Sequence, residues 1–266
     1  MITSFQTRGS PERGPLVMGI LNVTPDSFSD GGMWNDVDSA LSHASDMIDQ
    51  GADIIDIGAE STRPGSLPVS ASEEISRLKP VLKELIPSVD VPISVDTLKT
   101  EVAEECLSLG ADIINDVNGL RSEGMAEVCA SAGAYVVIMH MAGMQNTTHN
   151  SVMGDDFASE IRSFLRTQTE KALDAGVRKD RLIMDPGIGF GKTVDQNVWI
   201  LENSGYFSDG YPVLSGSSRK RFIRATYPET DVDDASADAA LRAYRSGADI
   251  VRVHDVGKTV SMVRQR

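Results

Sequence analysis

The stretch ADAALRAYRSGADIVRVH, residues 237–254, decides the fold. Ala237 to Ser246 reads as a helix by its composition and apolar spacing, Gly247-Ala248-Asp249 ends it, and Ile250 to His254 reads as a short β-strand. Glycine at the joint supplies the left-handed conformation that closes a last helical turn. The same joint recurs at Gly51-Ala52-Asp53, Gly110-Ala111-Asp112 and Gly133-Ala134-Tyr135. Its spacing is uneven, so it marks a repeated helix-to-strand unit and not a solenoid repeat.

Outward from that joint, β-rich apolar runs stand at Leu16 to Val23, Asp53 to Gly58, Ile93 to Asp96, Ile113 to Val117, Tyr135 to His140, Leu182 to Pro186, Pro212 to Gly216 and Ile250 to His254. Helix-patterned stretches fill most gaps, among them Val37 to Gln50, Ser72 to Leu85, Thr100 to Leu109, Asp156 to Ala175 and Ala237 to Ser246. This alternation within 266 residues predicts a single-domain α/β protein, a (β/α)8 TIM barrel over residues 17–266, preceded by an N-terminal extension, 1–16. A doubly wound sheet fits less well, because no GxGxxG turn follows the first strand.

Composition narrows the partners. Acidic residues number 39 and basic ones 25, a net charge of −14, so the average surface repels nucleic acid and anionic membrane. With 41% apolar residues the chain is globular, and it lacks an 18-residue apolar run or a signal-peptide core, which predicts a cytoplasmic protein. Cys106 and Cys129 have no CxxC spacing and read as small buried hydrophobes.

The strands finish on polar groups: Asn22, Asp56 with Glu60 beyond it, Asp96, Asn115, His140, Asp185, Ser215, and Arg252 with His254. In a barrel of this kind, chemistry sits at those ends. Period two puts Ile113 with Asn115, Ile183 with Asp185, and Ile250 with Arg252 and His254 on shared faces, so Asp96, Asn115, Asp185, Arg252 and His254 are expected to converge on the mouth. Each taken singly also fits a strand-end turn. No GxSxG elbow and no HExxH spacing is present, so a hydrolase triad and a zinc centre are both poor fits. Carboxylates beside a carboxamide suit a flat heterocycle that presents an amino-amidine edge. The basic island Ser217-Ser218-Arg219-Lys220-Arg221, with Arg224, follows the seventh strand, where barrels often bind phosphate. The loop 22–32 holds Pro25-Asp26 and Gly31-Gly32 and reads equally as a mobile lid or as an Asx-rich surface turn.

The segments MGILNVTPDSFSDGG (18–32), IIDIGAESTRPG (54–65), ISVDT (93–97), IINDVNG (113–119), IMHM (138–141), LIMDPGIGFGK (182–192), SGSSRK (215–220) and RVHDV (252–256) together resemble the dihydropteroate synthase family of pterin-binding barrels. The resemblance implies condensation of 6-hydroxymethyl-7,8-dihydropterin diphosphate with 4-aminobenzoate, giving 7,8-dihydropteroate and diphosphate with Mg2+ as cofactor. It implies that Asp96, Asn115, Asp185 and Lys220 hold the pterin, and that Arg63, Arg252 and His254 hold the diphosphate. Thr62, Pro64, Phe190, Ser218 and Lys220 would frame the aminobenzoate pocket, with Met139 and Gly216 completing the substrate-binding set. Asn22 would ligate Mg2+, and Asp96, Asp185, Lys220 and Arg252 would be the catalytic residues. A homodimer with no nucleic-acid or membrane partner is implied as well.

The chain departs from the family's common pattern at Ala142 to His149 and at Asp231 to Ser236, and Asp238 enters a normally apolar helix. A methyltetrahydrofolate methyltransferase of the related pterin-binding barrels and a catalytically inactive paralogue are the alternative readings.

Overall fold

The computed structural model describes residues 14–23, 33–60, 68–143 and 153–264. The strands are β1 (Leu16–Asn22), β2 (Ile54–Gly58), β3 (Ile93–Asp96), β4 (Ile113–Asp116), β5 (Tyr135–Met139), β6 (Leu182–Asp185), β7 (Leu214–Ser215) and β8 (Ile250–Val253), each ending within two residues of the expected positions. All pair in parallel, in the order β6-β5-β4-β3-β2-β1-β8-β7. A parallel bridge between Met184 and Val213, with the Met184 N–H donating to the Pro212 carbonyl at 2.8 Å, joins β6 to the chain entering β7 and closes the ring. The expected (β/α)8 barrel is the observed one.

Helices wrap the outside: α1 (Met33–Asp49), α2 (Ala71–Leu85), α3 (Thr100–Ser108), α4 (Met125–Ala132), α5 (Phe157–Asp174), α6 (Val194–Glu202), α7 (Arg221–Thr226), α8 (Val232–Arg245) and α9 (Val256–Val263). Both α7 and α8 lie between β7 and β8. Helix α8 begins five residues before the expected Ala237. The Asp231 carboxylate accepts from the N–H groups of Asp233 and Asp234, and this N-cap recruits the acidic run into the first turn, where it also complements the helix dipole.

The Gly-Ala-Asp joint has a use for each residue. Gly51, Gly110, Gly133 and Gly247 all have positive φ, and the alanine that follows each donates its N–H back to the last helical turn, at 2.9 to 3.1 Å. The aspartates then cap a neighbouring strand: Asp53 accepts from Val17 N–H, Asp112 from Ile93 N–H and Asp249 from Val213 N–H, at 2.8, 3.0 and 2.9 Å. One tripeptide ends a helix, starts a strand and anchors the adjacent strand.

Apolar residues form two shells. Ile55, Ile57, Val95, Ile114, Val136, Ile138, Val251 and Val253 face the helices, while Met18, Ile54, Ile113, Tyr135, Val137, Ile183, Leu214 and Ile250 fill the barrel itself. Cys106 and Cys129 are free and buried, and burial pushes both thiols up to about 12, as expected of inert core residues. Among the described residues no helix is long and apolar enough to cross a membrane.

Candidate active site

The even-numbered strands build the floor of the site. Each contributes an isoleucine to the barrel interior and, two residues later, a polar side chain: Ile54 then Asp56, Ile113 then Asn115, Ile183 then Asp185, Ile250 then Arg252. Alternate strands supply alternate layers in such barrels, so a layer of four isoleucines underlies a layer of two aspartates, an asparagine and an arginine. The odd strand β3 adds Asp96 above Ser94.

This layer is tied together. The Arg252 guanidinium donates through Nε to Asp56 at 2.6 Å and through Nη2 to Asp96 at 2.7 Å, while Asn115 Nδ2 donates to the same Asp56 oxygen at 3.3 Å. Burial raises Asp96 above the usual carboxylate range, Arg252 opposes that rise, and Asp56 and Glu74 add to it. Burial likewise raises Asp185, against Lys220, the Gly187 N–H that donates to it at 2.7 Å, Lys192 and Arg252. Asp56 Oδ1, Asn115 Oδ1, Ser94 Oγ and Ser215 Oγ are buried polar atoms beneath the mouth that the protein itself does not pair.

Of the five groups expected to converge, Asp96, Asn115, Asp185 and Arg252 gather on the floor, and His254 follows β8 and meets Ser218. Asp56 belongs with them although it carried no assigned role in the sequence reading. Its place two residues after Ile54 was the available signal, the same one that marks Asn115 and Asp185. Arg252, expected at the diphosphate, stands between two carboxylates.

The basic island separates into different tasks. Lys220 reaches back over the mouth, donating to the Ile188 carbonyl with its ammonium 4.4 Å from the Phe190 ring centroid. Burial lowers its pKa to about 8, with Asp185 resisting the shift. Arg219 turns away and forks onto Asp233 of α8 at 2.6 and 2.9 Å. Arg221 and Arg224 are exposed on α7. Ser218 Oγ lies 2.9 Å from His254 Nδ1 and accepts from the His254 N–H at 3.2 Å, which ties the β7 loop to the end of β8. Gly216 and Met139 are buried, at the ends of β7 and β5.

The run 231–238 is a set of anchors. Asp233 holds Arg219, Asp231 and Asp234 hold Lys258, and Asp238 accepts from the Tyr227 hydroxyl, which in turn accepts from Arg242 at 2.7 Å. On the other side of the mouth, Lys99 bridges Glu60 and the buried Glu74, binding the end of β2 to α2. Thr62, Arg63, Pro64, Asp26, Gly31, Gly32 and the stretch 144–149 lie outside the described residues.

Asn22 ends β1, between β2 and β8, half-buried. Among the described residues no group of three or more His, Cys, Asp or Glu is placed to hold a metal. A single carboxamide oxygen on the rim fits Mg2+, a hard cation that takes few protein ligands and fills its octahedron with phosphate oxygens and water.

The fold and site define a (β/α)8 barrel whose mouth gathers carboxylates, a carboxamide and cations at the strand ends. Residues 18–254 match the family of pterin binding enzymes. The chain is 46% identical over 254 residues to the dihydropteroate synthase of Bacillus subtilis, covering 94% of this chain and 86% of that protein. Among solved structures, it is similar to dihydropteroate synthase from Clostridium difficile crystallised in the presence of pteroic acid, with a TM-score of 0.87, 44% identity and 95% of each chain covered. The Xanthomonas albilineans dihydropteroate synthase with 4-aminobenzoic acid gives a TM-score of 0.87 at 42% identity, covering 94% of this chain and 91% of that one. The chain belongs to the dihydropteroate synthases, within the pterin-binding enzyme family.

Proposed function

We propose that this chain condenses 6-hydroxymethyl-7,8-dihydropterin diphosphate with 4-aminobenzoate to give 7,8-dihydropteroate and diphosphate. The observation that carries the reading is the barrel floor, where Asp96, Asn115 and Asp185 gather around Arg252 and the buried Asp56 under a mouth bounded by Lys220 and Phe190. Relatives at 44% and 42% identity are described with pteroic acid and with 4-aminobenzoic acid.

The pterin's amino and ring N–H groups would donate to Asp185, Asp96 and Asn115, with the Lys220 ammonium over the ring edge. Breaking the methylene C–O bond sends its electron pair out with the diphosphate and leaves positive charge on the methylene. The buried carboxylates stabilise that charge, and they do so strongly because water is excluded from the barrel. The aryl amine then forms the C–N bond with its lone pair and releases a proton, so neither a general base nor a covalent enzyme intermediate is needed. His254, Arg252 and Arg63 would face the leaving diphosphate, and Thr62, Pro64, Phe190, Ser218 and Lys220 the aminobenzoate. Mg2+, when bound at Asn22, supplies countercharge to the diphosphate. The same reading extends to a symmetric homodimer, the commonest closed assembly, which sedimentation equilibrium tests by a doubled mass.

Incubation with both substrates and Mg2+, following diphosphate release with and without 4-aminobenzoate, tests the proposal. Dihydropteroate formation is expected, and its absence overturns the reading. Asp185→Asn removes a charge from the ring edge and is expected to lower kcat/KM by about 100-fold or more, the magnitude of losing one preorganised electrostatic contact.

A further inference from the structure

The loop between β6 and α6 carries Phe190 and the Ile188 carbonyl that receives Lys220, yet it has almost no side chains with which to hold itself. Its sequence is Pro186-Gly-Ile-Gly-Phe-Gly-Lys192, and Gly187, Gly189 and Gly191 all have positive φ, at 71°, 87° and 67°. Such a backbone is costly to order, and its carbonyls point inward where they need donors. A Cβ on Gly189 would stand 2.6 Å from Lys220 Cδ, so this loop cannot gain bulk without displacing Lys220.

Lys192 supplies the donors. Its Nζ reaches the Gly187 carbonyl at 2.8 Å, the Phe190 carbonyl at 3.0 Å and His140 Nδ1 at 3.1 Å. With the His140 carbonyl farther off at 3.5 Å, the three N–H bonds of the ammonium face three close acceptors and one distant one. From the other side Asn197, buried on α6, accepts the Gly189 N–H at 2.6 Å. The loop is therefore clamped at 187, 189 and 190, and between these clamps lie the Ile188 carbonyl and the Phe190 ring, the two groups that contact Lys220. His140 lies at the end of β5 and packs edge-on against Phe164, so the clamp is grounded in the barrel wall.

We propose that Lys192 is a positioning residue for the aminobenzoate half of the site: by stapling the Gly187 and Phe190 carbonyls to His140, it sets the Phe190 ring and the Ile188 carbonyl against which Lys220 rests. The proposal deepens the synthase reading and rests on it for the identity of the ligand. The pterin-facing groups Asp96 and Asn115 stand on strands that do not depend on this loop, and only Asp185, which accepts from the Gly187 N–H at 2.7 Å, links the clamp to the pterin side, so the larger effect falls on the aminobenzoate.

The test compares wild type, Lys192→Met, which keeps chain length and removes the donors, and Lys192→Arg, which restores a cation. Each variant also carries a fluorinated phenylalanine at position 190. In Lys192→Met the KM for 4-aminobenzoate is expected to rise about tenfold while kcat and the KM for the pterin diphosphate change less than about threefold, the pattern of lost binding for one substrate. The fluorine resonance, single in the wild type, is expected to broaden or split in Lys192→Met and to narrow again in Lys192→Arg. Equal changes in both KM values, or an unchanged resonance, overturn the proposal. A wild type that makes no dihydropteroate fails the synthase reading instead, and the fluorine spectrum still judges the clamp. If Lys192→Met does not fold, Lys192→Gln, which keeps two donors, takes its place, with a rise of about threefold expected and no rise overturning the proposal.

Discussion

Asp56 on β2 and Arg252 on β8 meet at 2.6 Å across the barrel floor although 196 residues separate them in the chain. Asp56 is fully buried and the Arg252 side chain is 20% exposed, so the pair is poorly screened by solvent. Removing one partner of such a pair leaves an uncompensated charge, a cost of about 3–5 kcal/mol. Asp56→Ala is expected to lose stability on that scale in urea denaturation, with activity lost as Arg252 and Asn115 shift. Asp56→Asn keeps an acceptor and should lose less. A loss under about 1 kcal/mol for Asp56→Ala would show that Arg252 finds equal support from Asp96 alone.

The Arg219 pair behaves differently. Its side chains are 45% and 18% exposed, so the forked contact with Asp233 contributes at most about 1 kcal/mol and is screened by salt. Arg219 also has φ 56°, a left-handed conformation that costs a non-glycine residue about 1–2 kcal/mol. Arg219→Gly exchanges one effect for the other and should be close to neutral in stability, whereas Arg219→Ala should be destabilised by about 1–2 kcal/mol relative to it. Thermal melts at low and high salt separate the two: the cost of Asp233→Ala disappears at high salt, and the Gly/Ala difference persists.

His140 gives a pH signature. Burial holds its pKa down at about 2, from an ordinary 6.5, with Lys192 and Arg121 adding to the shift. A depressed base is unprotonated in the folded protein while the unfolded chain takes up a proton below about 6.5. Its contribution is therefore intact above that pH and lost as pH falls toward 2, with a slope of about 1.4 kcal/mol per unit. Asp116, pushed up to about 6 by burial, acts in the opposite sense, so the measurement is the difference in pH slope between wild type and His140→Leu from pH 6 to 4. NMR should show no titration of the His140 ring between pH 5 and 8.

Two glycines with similar φ should differ in their tolerance of a methyl group. A Cβ on Gly187 would lie 1.8 Å from the His140 carbonyl oxygen, at φ 71°, whereas on Gly133, at φ 65°, it meets nothing within 4 Å. Gly133→Ala should cost about 1–2 kcal/mol from backbone conformation alone. Gly187→Ala must in addition push β5 and the β6 loop apart, and is expected to lose more than twice that, together with most activity. Comparable melting temperatures for the two variants would refute the close approach.

The sequence by itself determined the barrel. Glycine at the helix ends, aspartate at the strand starts and period-two alternation act over a few residues, so Gly247-Ala248-Asp249 and its repeats are legible wherever they occur. The polar layer was half legible for the same reason: Asn115, Asp185 and Arg252 follow isoleucines two places earlier, and Asp56 follows the same rule. Tertiary structure alone decided what those groups do to one another. The sequence offered Arg252 as a cation, and the closed barrel added its pairing with Asp56 and Asp96; Arg219 and Lys220, adjacent in one basic run, point to opposite partners because the left-handed backbone at 219 separates them. The clamp of Lys192 on His140 spans 52 residues and two loops, and no local periodicity encodes it. Short-range backbone preferences select the elements, and the long-range pairing of buried charges, set only when the ring closes, assigns the site.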